Sequence, residues 1–140
     1  MIWHKKPDLK ALNSRGSGTA VEHLGILITE VQDEALVGTM PVDHRTCQPL
    51  GLLHGGASVL LAESLGSIAA NHVVDCEQAY CVGMEINANH LKPVRSGIVT
   101  GIAKPIHIGK KSQVWEIGIR NEAEQLICIS RLTMVVIEKK

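Results

Sequence analysis

HGGASVLLAESLGSIAANHVVD, residues 54–75, is the stretch on which the fold turns. Between residues 57 and 70, small and apolar side chains occupy every helical face and leave no stripe for water. A helix apolar all round is either buried or embedded in a membrane. At helical rise the stretch is roughly 30 Å long, enough on length alone for either. The spanning reading fails because Glu63 sits mid-helix, Ser58, Ser64, Ser67 and Asn71 interrupt it, and no long apolar flank exists. The remaining reading is a buried central helix carrying one carboxylate. No Lys or Arg lies between Arg45 and Lys92, so any neutralising partner of Glu63 must come from elsewhere in the fold. A glutamate is rarely enclosed without a partner or a purpose.

Around this helix, 140 residues form a single domain, 1–140, large enough for its own core. Lys plus Arg and Asp plus Glu are each 14, which removes the electrostatic case for a nucleic-acid partner. With no Phe, one Tyr and two Trp, the core falls to Ile, Leu, Val and Ala, which suits strands packed on a slim helix. Cys47, Cys76, Cys81 and Cys128 form no CxxC pair and read as free thiols of a reducing cytoplasm. MIWHKKPDLK lacks the apolar region of a signal peptide, so a cytoplasmic protein without a membrane partner is expected.

Residues 8–15 predict a short helix capped by Asp8 and stopped before Gly16. Residues 21–31 and 35–40 predict two strands around a turn at Gln32-Asp33-Glu34. The segment 41–53, with Pro41, Pro49 and Gly51, is an ordered loop delivering the chain to Gly55-Gly56. Beyond the helix, residues 80–91 alternate, with Val82, Met84, Ile86 and Ala88 on one face. Strands over 97–108, 112–120 and 125–137 follow, the second placing Trp115, Ile117 and Ile119 together. Short turns between them imply an antiparallel meander. The expected fold class is therefore α+β, an antiparallel sheet wrapped around one long central helix. A helix covered by one sheet needs cover on its other side, and sheet edges invite pairing, so a homo-oligomer is expected.

Two stretches carry chemistry: PVDHRTCQPLGLLHGGASVLLAESLGS and NANHLKPVRSG. Together they resemble the hotdog-fold acyl-CoA thioesterases, most nearly the small bacterial aryl- and hydroxynaphthoyl-CoA type related to the enterobactin proofreading thioesterase. The resemblance covers essentially the whole chain and implies a hotdog fold, an acyl-CoA substrate, no cofactor, and a dimer or dimer of dimers. It implies a catalytic site of Gln48, His54, Gly55, Glu63 and Ser67. It also implies coenzyme A contacts at Val82, Asn89, His90, Leu91, Lys92 and Arg95. Further contacts are implied at Ile106, His107, Ile108, Gly109, Lys110 and Lys111.

The residue types agree with those roles. A helix start offers free N–H groups and the positive dipole end, which an oxyanion can use. Glycine at 55 lets a substrate approach the backbone; an ordinary glycine-rich helix start is the plain alternative. Glu63 can act as nucleophile or as general base on water, against a structural acid bonded to backbone. Ser67 lies one turn on and can orient the carboxylate, or simply allow close helix packing. Gln48 can bond the thioester or the water, or satisfy its own turn. His54 braces the loop or positions the thioester; it precedes the oxyanion glycine and faces the wrong way for a base. His44 and Cys47 lack a second ligand pair, so no metal is expected, and His72 complements the helix dipole. Basic turns at Lys92–Arg95 and Lys110-Lys111 fit coenzyme A phosphates or are plainly solvated. Two other functions compete: hydration or dehydration of β-hydroxyacyl thioesters, and a non-catalytic acyl-CoA sensor. The first typically needs a His beside the acid; the second adds a DNA-binding domain for which the stretch before Val21 is too short.

Overall fold

The structure is a computed structural model describing residues 1–140. Its elements are α1 (Leu9–Arg15), α2 (Ala20–His23), β1 (Leu27–Val31), β2 (Leu36–Pro41), α3 (Gly55–Val73), β3 (Ala79–His90), β4 (Ile98–Ile108), β5 (Ser112–Arg120) and β6 (Leu126–Glu138). Six antiparallel strands form one sheet in the order β1-β2-β4-β5-β6-β3. The sheet curls over α3, burying Leu61, Ala62, Leu65, Gly66, Ala69 and Ala70 against Trp115, Ile117, Leu132 and Met134.

Small residues bring the two layers together. A Cβ on Gly38 or on Gly101 would stand 2.7 Å from a methyl of Leu65, and one on Gly66 would stand 2.6 Å from Leu132. Leu65 thus lodges between two strands, which explains how a core without Phe closes. A buried polar chain adds to the grip. Trp115 Nε1 donates to Gln113 Oε1 at 2.8 Å, and the Gln113 amide lies 3.5 Å from the Ala70 carbonyl. Beside it Asn71 grips β3 with both ends of its amide: Nδ2 donates to the Cys81 carbonyl at 3.1 Å and Oδ1 accepts the Cys81 N–H at 2.8 Å.

Three expectations need correction. Residues 21–31 are not one strand. The Thr19 hydroxyl caps a helical turn at Ala20–His23, and Gly25 at φ +71 ends it before β1 begins. The sheet is not a simple meander, because α3 carries the chain across it and delivers β3 to the far edge beside β6. Val82, Met84, Ile86 and Ala88 do not share a face. A bulge between Gly83 and Glu85 switches the phase, so Cys81 faces the core before it while Ile86 and Ala88 pack on the core after it. Val82 and Met84 are exposed. The single sheet leaves the far side of α3 without full cover, as expected: Val59, Leu60, Glu63, Ser64, Ser67 and Ile68 are half-buried there.

Replacing Asn71 by Ala orphans both Cys81 backbone groups and should cost about 1–3 kcal/mol. Urea unfolding of the variant should show an earlier midpoint with an unchanged slope; an unmoved midpoint would mean that β3 does not depend on this clamp.

Candidate active site

The loop before α3 is built to present a helix start. Thr46 Oγ1 donates to the Pro41 carbonyl at 2.7 Å, and His54 N–H donates to the Thr46 carbonyl at 2.8 Å. The Arg45 guanidinium and backbone N–H bond Asp43 and hold its carboxyl down at about 2. His54 then takes the cap position in extended conformation, with Nδ1 accepting the Gly56 N–H at 2.8 Å. A neutral ring in that bond carries its proton on Nε2. Ala57 and Ser58 both donate to the His54 carbonyl. The Gly55 N–H alone in this turn has no acceptor in the chain.

Gly55 opens onto a cleft of about 320 Å³ whose walls include Gln48, Leu52, Ser58, His90, Leu91 and Lys92. A Cβ on Gly55 would stand 2.8 Å from His90 Nε2, so the imidazole covers the bare helix start. The Gln48 side-chain oxygen accepts the Leu50 N–H, which leaves the amide NH₂ without an acceptor in the chain. Turn satisfaction and a free donor coexist in this one residue.

Glu63 stands apart from that cleft. It lies eight residues along α3 from Gly55, roughly 12 Å at helical rise. It has no hydrogen-bond or ion-pair partner in the chain, and it is half-buried rather than enclosed. Its carboxylate rests over β3, with Oε1 2.6 Å from where a Gly83 Cβ would be. Ser67, one turn on, lines a separate cavity of about 270 Å³ with Leu12, Asn13, Asn71 and His72. His72 Nδ1 lies 2.9 Å from the Ile68 carbonyl in the last turn.

The other expected contacts divide likewise. His90, Leu91 and Lys92 line the Gly55 cleft, with Asn89 and Arg95 exposed beside it. Ile106, His107, Ile108, Gly109, Lys110 and Lys111 form the β4–β5 hairpin, closed by Gly109 N–H on the Ser112 carbonyl. Strand register aligns Ile108 with Gln113, Met134 and Gly83, and Val82 with Val135 and Ser112. That row lies roughly 20 Å along β3 from His90. Within one chain the two basic turns are therefore at opposite ends of the sheet. Sequence reasoning missed Gly83, although a glycine interrupting the alternation of 80–91 was the available signal.

A family model described as "Thioesterase superfamily" matches residues 50–128. The chain belongs to that superfamily. It is 51% identical to the 1,4-dihydroxy-2-naphthoyl-CoA hydrolase of Escherichia coli, over 98% of this chain and 100% of that one. It is 48% identical to the proofreading thioesterase of Cronobacter sakazakii, over 98% and 99% of the two chains. A crystal structure of a mutant thioesterase from Pseudomonas aeruginosa superposes with a TM-score of 0.98 at 49% identity, covering 99% of this chain and 100% of that one. The fold is the hotdog, and the protein is a thioester hydrolase. No helix of this thioesterase is long and apolar enough to cross a membrane.

All four cysteines of the thioesterase are free. Burial pushes the Cys81 and Cys128 thiols up, whereas Cys76 is exposed and Cys47 half-buried beside Gln48. Thiolate is the reactive form. Alkylation of the native protein at mildly alkaline pH should modify Cys76 first and Cys47 more slowly. Cys81 and Cys128 should react only in denaturant, as peptide mass mapping would show; early labelling of either would contradict their burial.

Proposed function

We propose that this thioesterase hydrolyses acyl-CoA thioesters with an aromatic or otherwise bulky acyl group, resembling 1,4-dihydroxy-2-naphthoyl-CoA or benzoyl-CoA. The E. coli relative's name supports that substrate class. The observation that carries the mechanism is the pairing of an unclaimed Gly55 N–H with a lone acid, Glu63, on one rigid helix. The thioester carbonyl oxygen accepts the Gly55 N–H, where the helix dipole favours the negative charge that develops. Glu63 either removes the proton of a water attacking the carbonyl carbon, or attacks it directly to form a mixed anhydride that water then opens. In each route the C–S bond breaks, coenzyme A leaves as thiolate and takes up a proton, and the acid product departs. The free NH₂ of Gln48 donates to the thioester or the water, His54 holds the Gly56 turn, and Ser67 orients the Glu63 carboxylate.

Both reacting groups must lie within about 3 Å of one thioester. A glutamate cannot reach back roughly 12 Å along its own helix. Each site therefore joins Glu63 of one subunit to Gly55 of another. The open edge of β3 supports this arrangement, since β6 occupies only one of its sides. Antiparallel pairing of two such edges runs the Gly83 end of one strand toward the His90 end of the other. It also brings the Lys110-Lys111 hairpin of one subunit toward Lys92 and Arg95 of its partner, on the coenzyme A phosphates. A dimer is the smallest active species, and two dimers can associate further.

Glu63→Gln should lower kcat by roughly 10² to 10⁴ with KM little changed, the range for loss of a general base. Near wild-type turnover would end the assignment. Single turnover in ¹⁸O water separates the routes: label in Glu63 means the anhydride, and label only in product means direct water attack. Lys92→Ala with Arg95→Ala should raise KM for acyl-CoA, each good phosphate contact being worth about 1.5–3 kcal/mol or less at an exposed turn. Acyl-pantetheine, which lacks the nucleotide, should feel the change far less; equal increases for both substrates would assign these turns elsewhere.

A further inference from the structure

The contact between Glu63 and Gly83 is not explained by backbone conformation. Four glycines have positive φ, namely Gly18, Gly25, Gly51 and Gly97, and Gly83 is not among them. Its strand geometry is open to any residue. What its missing side chain provides is room. A Cβ there would lie 2.6 Å from Glu63 Oε1 and 3.7 Å from Glu63 Cδ, with Leu132 next at 4.0 Å. The carboxylate occupies the space that every other residue would fill.

The surroundings fix that contact. The β3 bulge begins at Gly83, where register shifts by one residue against β6 and turns the strand's phase. Two residues earlier, Asn71 clamps both Cys81 backbone groups to α3. Glu63 and Asn71 lie eight residues apart on the same helix. The clamp therefore sets how closely β3 approaches the acid, and the glycine sets where the acid can rest. No hydrogen bond or ion pair within the chain holds Glu63, so this steric floor is what confines it.

We infer that Gly83 is a positioning residue for hydrolysis: it holds the Glu63 carboxylate at its working height over β3. The inference rests on the catalytic role of Glu63 proposed above. A methyl at 83 meets only the end of a flexible side chain, so Gly83→Ala should fold, and it should push the carboxylate off the attacking line.

The test is a double-mutant cycle with Gly83→Ala and Glu63→Gln, measured as kcat and KM on an aryl-CoA ester alongside thermal melts. Gly83→Ala alone should lower kcat roughly 10- to 100-fold, the scale of an ångström-sized misplacement, with KM unchanged. In the Glu63→Gln background the same substitution should have no further effect. A folding defect would lower both backgrounds equally, so that outcome overturns the inference even if the melts shift. Wild-type kcat in Gly83→Ala, with Glu63→Gln inactive, overturns this inference and leaves the role of Glu63 standing. Full activity in Glu63→Gln overturns both.

Discussion

The seat of α3 on its sheet is made by absent side chains, with Leu65 lodged between Gly38 and Gly101 and Leu132 lying over Gly66. Close approach turns a chain without Phe into a filled core, because aliphatic side chains reach across a gap that aromatic ones would otherwise span. It also immobilises the helix. The backbone donor at Gly55 and the acid at Glu63 are fixed on one rod, at a spacing set by helical rise and not by side-chain choice. The same seat leaves the far side of α3 half-covered and the outer edge of β3 open. One packing decision thus separates the two groups of the proposed mechanism and leaves free the surfaces on which the proposed second copy would act.

Local chemistry shapes each half of the proposed site separately. At the helix start, His54 consumes the Gly56 N–H and its carbonyl takes Ala57 and Ser58, so the Gly55 N–H is the one donor left over. A donor unclaimed by protein is available to a developing oxyanion at no cost in broken bonds. At the acid, nothing in the chain neutralises or hydrogen-bonds Glu63, so its lone pairs are open to water or to a carbonyl carbon.

Much of the fold is legible in the sequence. The central helix, the sheet around it, the Asp8 cap and the turn at 32–34 all follow from periodicity and capping chemistry. The expected strand at 21–31 failed because a four-residue helix is decided by one Thr19 cap and one Gly25 of positive φ, too short for any period to register. The 80–91 alternation failed because a single bulged residue inverts a period of two, and hydrophobicity alone does not mark where the extra residue sits. The apolar helix pointed to a buried Glu63, yet a sheet covers only one side of a helix, and Glu63 on the other side is half-buried. The separation of Gly55 from Glu63 was readable from their eight-residue spacing on one helix; the placement of the two basic turns at opposite ends of the sheet was not, because it depends on strand order, with β3 beside β6 instead of β4.

Subunit complementation tests the proposed shared site most directly. Gly55→Pro removes the backbone donor at a first helical position whose backbone accepts proline, after a His54 already at φ −67 and ψ 130, as a residue before proline prefers; the His90 ring, 2.8 Å from the new Cβ, must swing aside. Each of the Gly55→Pro and Glu63→Gln homodimers should be nearly inactive. In a mixed dimer one site carries both lesions and the other carries neither, so free exchange should restore about a quarter of wild-type activity. No recovery after subunit exchange verified by mass spectrometry would contradict the account and place the whole site within one chain.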